Sequence, residues 1–445
     1  MSCDVLVALG PWTRDGSTLF AKNSDRAINE CQQVRHAPRA THGEALVKCT
    51  YVELPQAPET YEAILFCPHW TWGAEMGVNE CGVAAGNVAV ASKEPLAERG
   101  IIGMDLVRLA LERADCAYEG VRVVTEVIQR YPQSIYHNSF IIADPKEAWV
   151  LETAGRYWAA RRVRGADAIS NTYTIEAEWD EAHPELVKHA LERGWCASEG
   201  DFSFARAYGD YSVPYMRKAH MRLRRSLELL RSARGELDVR HLMRAMRDHG
   251  EGTLTEPIWA GDEAVTETLC VHGSGETAAS MVVELRDAGH ALLRCVCWAL
   301  LSSPCTSVYF PLLLGAEVPE ELGRGSDRYE EGSPWWLFER LQRLVDKNYR
   351  ALAPVVRGVW DYVEEVELAE VRVLRLRLGE MLSEGRVSEA AKAAGEYVRR
   401  SFDRVVALAR ELEAVVARLA SALPERRSPR WEYVRAKSEE AGLRL

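Results

Sequence analysis

No stretch of this 445-residue chain is apolar for long enough to cross a bilayer as a helix. The most apolar later segment, 291–301, is interrupted by Arg294 and falls short of the roughly 18 residues such a helix needs. The N-terminus has no basic stretch followed by an apolar one, so no secretory signal is visible and a cytoplasmic location is expected. Positive charge is in deficit: 55 Lys and Arg against 66 Asp and Glu leave a net charge of −11. That argues against a partner recognised through a phosphate backbone, which calls for a basic face. The 11 histidines contain no HExxH, and His183 and His189 miss the i,i+4 spacing of a shared helix face. Gly273-Ser274-Gly275 has neither a P-loop lysine nor a dinucleotide fingerprint. The 11 cysteines are odd in number and scattered, which argues against a disulfide framework. Cys295-Val296-Cys297 has no second pair nearby, and on a strand both thiols would point to one face as small core residues. No metal set, cofactor, nucleic acid or membrane partner is expected.

What is present is an ordinary globular composition, 47% hydrophobic and 27% charged, in a chain longer than one core usually holds. Residues 1 to about 310 are rich in strand signals. Asp4–Leu9 and Ser17–Lys22 flank an Asp-Gly turn, 72–78 and 83–88 form a second hairpin, and 139–143, 148–152 and 157–163 read as a meander. Helical periodicity covers 104–113 and 117–130, and 277–285 and 291–298 return to strand character. Runs of strands with helices between the runs imply antiparallel sheets covered by helices, an α+β fold. The organisation expected is a catalytic domain over 1–315, an acidic connector over 316–333 and an all-helical region over 334–445. In the last, helices are expected over 335–352, stopped by Pro354, then over 363–382 and 387–423. The third carries an apolar stripe at Val387, Ala391, Ala394, Val398, Phe402, Val405, Leu408, Leu412, Val415 and Leu419, which must be buried against the sandwich or a second subunit. The helices are therefore candidates for a homo-oligomer interface.

The third residue carries the chemistry. If the chain is trimmed before Cys3, that residue owns a thiol and a free amine, a nucleophile and a base together. An unperturbed α-amine titrates near ~7.7–8.0, so part of it is neutral at working pH and can accept the thiol proton. A hairpin register summing to about 28–31 brings positions 25–28 opposite residue 3, and with them the charged segment Lys22-Asn23-Ser24-Asp25-Arg26. Its carboxylate can orient an amine and its cations can lower a thiol pKa or hold a substrate oxygen. Asparagines at strand ends, Asn87 and Asn171, are candidate oxyanion donors, though on spacing alone they read equally as turn residues.

The blocks "SCDVLVALG", "DGSTLFAKNSDRAINECQ", "WTWGAEMGVNECGVAAGNVAV", "GMDLVRLALERA", "EAWVLETAGRYWAA", "TAASMVVEL" and "SSPCTSVYFP" occur in order through residue 310. They resemble the secernin and cysteine-type dipeptidase family of N-terminal nucleophile (Ntn) hydrolases. "SPWWLFERLQRL" and the helices after it are similar to the longer dipeptidase members. The resemblance implies a four-layer αββα sandwich, with amide hydrolysis through a thioester. It makes Cys3 the nucleophile and Asp25 the carboxylate that holds its amine. Lys22 stands where related bile-salt and penicillin acylases have an arginine, and Asn87 and Asn171 look like their oxyanion and amine-contacting asparagines. A downstream arginine is also implied, for which Arg222 and Arg225 are candidates, a basic helix face explaining either equally well. Arg26, Arg225 and His272 are the substrate-lining residues expected, His272 lying in the family's Cys-x-His stretch.

The resemblance also implies autoproteolysis, in which the short leader Met1-Ser2 is removed and Cys3 becomes the terminus. The expected activity is that of a thiol protease acting on small peptides, dipeptides foremost. Two alternatives stay open: a hydrolase or acyltransferase acting on another acyl amide, and a secernin-like regulatory or binding protein that keeps the framework without the chemistry.

Overall fold

A computed structural model describes residues 2–253, 268–273, 275–424 and 429–445. Met1 of the leader and Ser274 of the glycine-flanked triplet lie outside the described residues. The layers are built from strands β1 (Cys3–Ala8), β2 (Thr18–Ala27), β3 (Gln32–Ala37), β4 (Ala63–Pro68), β5 (Met76–Asn79) and β6 (Ala84–Val90), then helices α1 (Gly103–Arg113) and α2 (Ala117–Arg130). Strands β7 (His137–Ala143), β8 (Ala148–Ala154), β9 (Tyr157–Arg162) and β10 (Ala166–Ile169) follow, then helices α3 (Pro214–Ser232) and α4 (Val239–Ala245). Next come β11 (Gly275–Leu285), β12 (Cys295–Leu301) and β13 (Phe310–Leu312), and helices α5 (Pro334–Asp346), α6 (Tyr349–Ser383), α7 (Val387–Ala422) and α8 (Pro429–Ala441).

The strands form two antiparallel sheets packed face to face. One has six strands in the order β10-β1-β2-β11-β12-β13; the other is an eight-stranded sheet running from β9 through β8, β7, β6, β5 and β4 to β3, with Glu181–Ala182 on its β9 edge. Helices α1 and α2 cover the outer face of the eight-stranded sheet, and α3 to α7 cover the six-stranded one. This is the four-layer αββα sandwich. Because each sheet lies between a sheet and helices, strands such as β1 and β7 are buried along their whole length, polar residues such as Asp4, Asn138 and Ser139 included.

Three local expectations need correction. In the first hairpin Cys3 pairs with Ser24, not with a residue in 25–28, and the register sums to 27. The connection is not a tight two-residue turn: a 3₁₀ turn over Gly10–Trp12 comes first, and the Thr13 hydroxyl donates to Ser17 O at 2.7 Å. Residues 291–294 form a helical turn before β12, because the His290 side chain accepts from Leu292 N–H and caps it. In the helical region the break falls at Lys347–Asn348, and Pro354 lies inside α6. It stands near the start of α6, where it forfeits a single backbone donor.

The stripe on α7 is buried in its middle, at Ala394, Val398, Phe402, Val405 and Leu412, against α5, α6 and β13. Toward the helix end the buried line passes to Val416 and Ala420, leaving Val415 and Leu419 partly exposed. The buried residues of α5 to α7 join one hydrophobic cluster with β1, β2, β11 and β12. Among the described residues no helix is long and apolar enough to cross a membrane.

Candidate active site

Two registers converge on Cys3. On one side β1 and β2 put Ser24 opposite it. On the other, β1 and β10 pair Val5 with Ile169 and Leu6 with Ala168, so the same register carried past the strand end brings residue 171 to residue 3. Asn171 does arrive there: its Oδ1 accepts the Cys3 N–H at 2.7 Å, and its Nδ2 donates to Ala89 O at 2.8 Å. The loop carrying it is pinned by Glu152 on β8, which accepts the Thr174 and Ile175 amides at 2.7 and 2.9 Å.

Arg222 on α3 holds the same asparagine. Its Nη2 donates to Asn171 Oδ1 at 2.6 Å and to Ser170 Oγ at 3.0 Å, and its Nε to Asp4 Oδ2 at 3.0 Å. Burial raises the Asp4 carboxyl even against the Arg222 cation. Of the two downstream arginines, Arg222 therefore reaches the Cys3 site. Arg225 pairs with Asp248 at 2.6 Å and lines a surface cleft of about 590 Å³ with Arg240, Arg247 and Glu364.

Asp25 is fully buried. Thr277 Oγ1 donates to its Oδ1 at 2.6 Å, whereas its Oδ2 has no hydrogen-bond partner among the described residues. Burial, reinforced by the neighbouring Asp4, raises the Asp25 carboxyl to about 7; Ser2 lies against it and pulls the other way. The Asp25 amide points at the Cys3 sulfur. Burial pushes the Cys3 thiol up to about 12, with Lys22 opposing and Glu75 and Asp25 adding to the rise.

Lys22 and Asn87 meet in a second group on the side of the eight-stranded sheet. Lys22 Nζ donates to Glu75 Oε2 at 2.7 Å, to Glu75 O at 2.6 Å and to Asn87 Oδ1 at 3.3 Å. A side chain at Gly86 would press on Lys22, its Cβ meeting Lys22 Cδ at 2.8 Å. Arg26 Nη1 reaches the other Glu75 oxygen at 2.7 Å and also holds Glu30. Burial works to raise the Glu75 carboxyl, but the Lys22 and Arg26 cations keep it below the usual carboxylate range. Asn87 Nδ2 donates to Asn138 Oδ1 at 2.9 Å, so the amide is engaged by Lys22 and Asn138. His272 sits elsewhere, in a buried group with His249, Cys270 and Cys305.

Asp4, Glu75, Ser170 and Thr277 are site neighbours that sequence reasoning missed. Glu75 did leave a signal, a single carboxylate in the otherwise uncharged run 70–79. So did Arg222: the buried positions Met216, Ala219, Ser226 and Leu230 set a face on which residue 222 falls and residue 225 does not.

The sequence is similar to two curated bacterial proteins. A "Probable dipeptidase" of Latilactobacillus sakei is 23% identical over 380 residues, 76% of this chain and 79% of that protein. A "Probable dipeptidase B" of Lactococcus lactis subsp. lactis (strain IL1403) is 30% identical over 180 residues, 36% of this chain and 37% of that protein. Among solved structures, penicillin V acylase from Agrobacterium tumefaciens matches at 13% identity and a TM-score of 0.37, covering 70% of this chain and 86% of that one. A conjugated bile acid hydrolase from Clostridium perfringens matches at 14% identity and a TM-score of 0.39, covering 73% and 95%. The family model described as "Peptidase family C69" matches residues 3–361, which spans the sandwich and begins at the candidate nucleophile; the chain belongs to that peptidase family.

Proposed function

We propose that the chain is a cysteine peptidase that hydrolyses small peptides, foremost dipeptides, with Cys3 as an N-terminal nucleophile. One observation carries this reading: the Cys3 backbone nitrogen is held by Asn171 Oδ1 at 2.7 Å, beside Asp25, whose second carboxylate oxygen is buried with no hydrogen-bond partner among the described residues, the leader residue Ser2 lying against the carboxyl. An ammonium or amine at residue 3 offers more donors than the single N–H of a peptide bond, and Asp25 Oδ2 can take one of them. The names of the two dipeptidase relatives support the substrate class.

Maturation precedes catalysis in this scheme. The Cys3 thiol attacks the Ser2 carbonyl, the Ser2–Cys3 amide is exchanged for a thioester, and water releases the leader, leaving the amine free. In turnover the amine takes the thiol proton as sulfur attacks the substrate carbonyl, then hands it to the leaving amine. Water, activated by the same amine, opens the thioester. Lys22 lowers the cost of the thiolate through space, and Asp25 and Asn171 orient the amine.

Intact mass of the purified protein, read with a dipeptide panel, tests this. A chain beginning at Cys3 that turns over dipeptides is expected, and Cys3→Ala should retain Ser2. Ser2 present in a fully active preparation would overturn the terminal-amine mechanism.

A further inference from the structure

The buried group around His272 is made of residues from three separate segments. His249 follows α4, Cys270 and His272 precede β11, and Cys305 follows β12. All four are buried, and one ligand atom from each lies within 4.8 Å of all the others. His272 Nε2 is 3.3 Å from His249 Nε2, 3.3 Å from Cys270 Sγ and 3.4 Å from Cys305 Sγ. A single ring nitrogen carries one proton or one lone pair, so it cannot satisfy three such neighbours as hydrogen bonds. Convergence of four nitrogen and sulfur atoms on a common point has a simpler origin. Around a tetrahedral ion with bonds of ~2.0–2.3 Å, ligand atoms lie roughly 3.3–3.8 Å apart, which matches the three separations around His272.

The surroundings suit an ion. Glu251 Oε1 lies 3.5 Å from His249 Nδ1, a carboxylate behind the imidazole on the side away from Nε2, as behind many metal-ligating histidines. Arg430 Nη2 lies 3.3 Å from His272 Nδ1 and is paired with Asp346 at 3.0 Å and Glu276 at 3.6 Å. A divalent ion bound by two thiolates and two neutral imidazoles has no net charge, so this cation is no obstacle. Metal on His272 Nε2 puts the ring proton on Nδ1, and Arg430 then keeps its two carboxylate partners, Asp346 and Glu276. Two thiolates with two imidazoles select zinc among the abundant divalent ions, and four protein ligands leave no open position.

We propose that His249, Cys270, His272 and Cys305 form a closed structural zinc site. Its place in the fold gives it a task. Between Cys270 and His272, Val271 donates its N–H to Thr277 Oγ1 at 3.1 Å, and the same hydroxyl donates to Asp25 Oδ1 at 2.6 Å. Asn23, two residues before Asp25, donates to Met246 O and Leu269 O at 2.8 Å each. The ion clamps the stretches on which Asp25 rests, as a positioning centre that touches no substrate.

The test uses the full chain. Wild-type protein, reduced, loaded with zinc and dialysed, is assayed for metal by elemental analysis and native mass spectrometry. One zinc per chain is expected. Replacement by cobalt(II) should give the thiolate charge-transfer and visible bands of a tetrahedral sulfur-containing site. Cys270→Ser and Cys305→Ser should lose the metal on dialysis, and Cys297→Ser, an equally buried thiol on β12, should keep it. Wild-type protein that retains no zinc, or a cobalt spectrum without thiolate bands, overturns the proposal. Both readouts need only the wild-type chain, so a variant that fails to fold leaves the test standing.

Discussion

Arg222 and Cys3 share one acceptor: Asn171 Oδ1 receives the guanidinium at 2.6 Å and the Cys3 N–H at 2.7 Å. The position of the Cys3 nitrogen is thereby tied to a residue of α3, 51 positions beyond that asparagine. Arg222 also neutralises Asp4, the neighbour of Cys3 on the same strand.

Arg222→Leu should remove both roles. It leaves Asp4 buried and unpaired, which costs about 3–5 kcal/mol at neutral pH. The Asp4 carboxyl is already raised by burial, so it will protonate as pH falls, and the deficit should be smaller at an acidic pH than at a neutral one. Urea unfolding at the two pH values measures this. A deficit independent of pH would remove Asp4 from the account.

Asp25→Asn should keep the fold and lose most peptidase activity, about a hundredfold or more, as for a missing acid–base partner. It should also change the pH dependence of stability. The Asp25 carboxyl is raised to about 7 in the folded chain against 3.8 ordinarily, so the folded state binds its proton more tightly. Its burial penalty is absent below the ordinary value, grows as pH rises toward 7, and is full above it. Unprocessed wild-type protein should therefore lose a few kcal/mol over that window relative to the asparagine variant, on the order of 1.4 kcal/mol per unit. Parallel stability curves for the two proteins would contradict this.

Lys22→Met should act through the thiol and through Glu75. Lys22 opposes the rise of the Cys3 pKa, so its loss should displace the pH profile of iodoacetamide inactivation to higher pH, read as modified Cys3 by peptide mass. Comparing profiles rather than rates removes the effect of burial on access. Stability should fall by about 3–5 kcal/mol as Glu75 loses one of its two cations. An unchanged inactivation profile would mean that Lys22 does not influence the thiol.

A chain ending at Gly315 should aggregate. Truncation uncovers residues of β12 and β13 that lie in one apolar cluster with Trp335, Phe338, Val356 and Phe402. Size-exclusion chromatography and thermal unfolding would show the loss of a discrete, cooperative species. A soluble, active truncation would show that the helices serve something other than this core.

Much of the sandwich was legible because its signals are local. The meander β7-β8-β9, the helices α1 and α2 and the long helix α7 follow from alternation, periodicity and turn residues. Errors arose where a side chain overrode the local pattern, as with the Thr13 hydroxyl in the first turn and the His290 cap before β12. Of the candidate site, hairpin register alone brings the segment 22–26 to Cys3, whereas the choice of Asn171 over ordinary turn asparagines comes through resemblance to a family. Cys3 and Asn171 are 168 residues apart, and no pattern within either segment implies the other. Glu75 and Arg222 left signals that could be read, but His249, Cys270 and Cys305 meet only through the fold.

The partners of the first strand give the chain an order in time. Cys3 is made long before its partners: its nitrogen waits for Asn171, and that asparagine for Arg222. Asp25 waits longer, for Thr277, and the loop after β2 longer still: Asn29 donates to Lys437 O at 2.9 Å and accepts from Arg343 at 2.6 Å. The loop after β2 is therefore completed only by α5 and α8. A nascent chain carries Cys3 through much of its synthesis before Asn171, Arg222 and Thr277 are there to complete its surroundings.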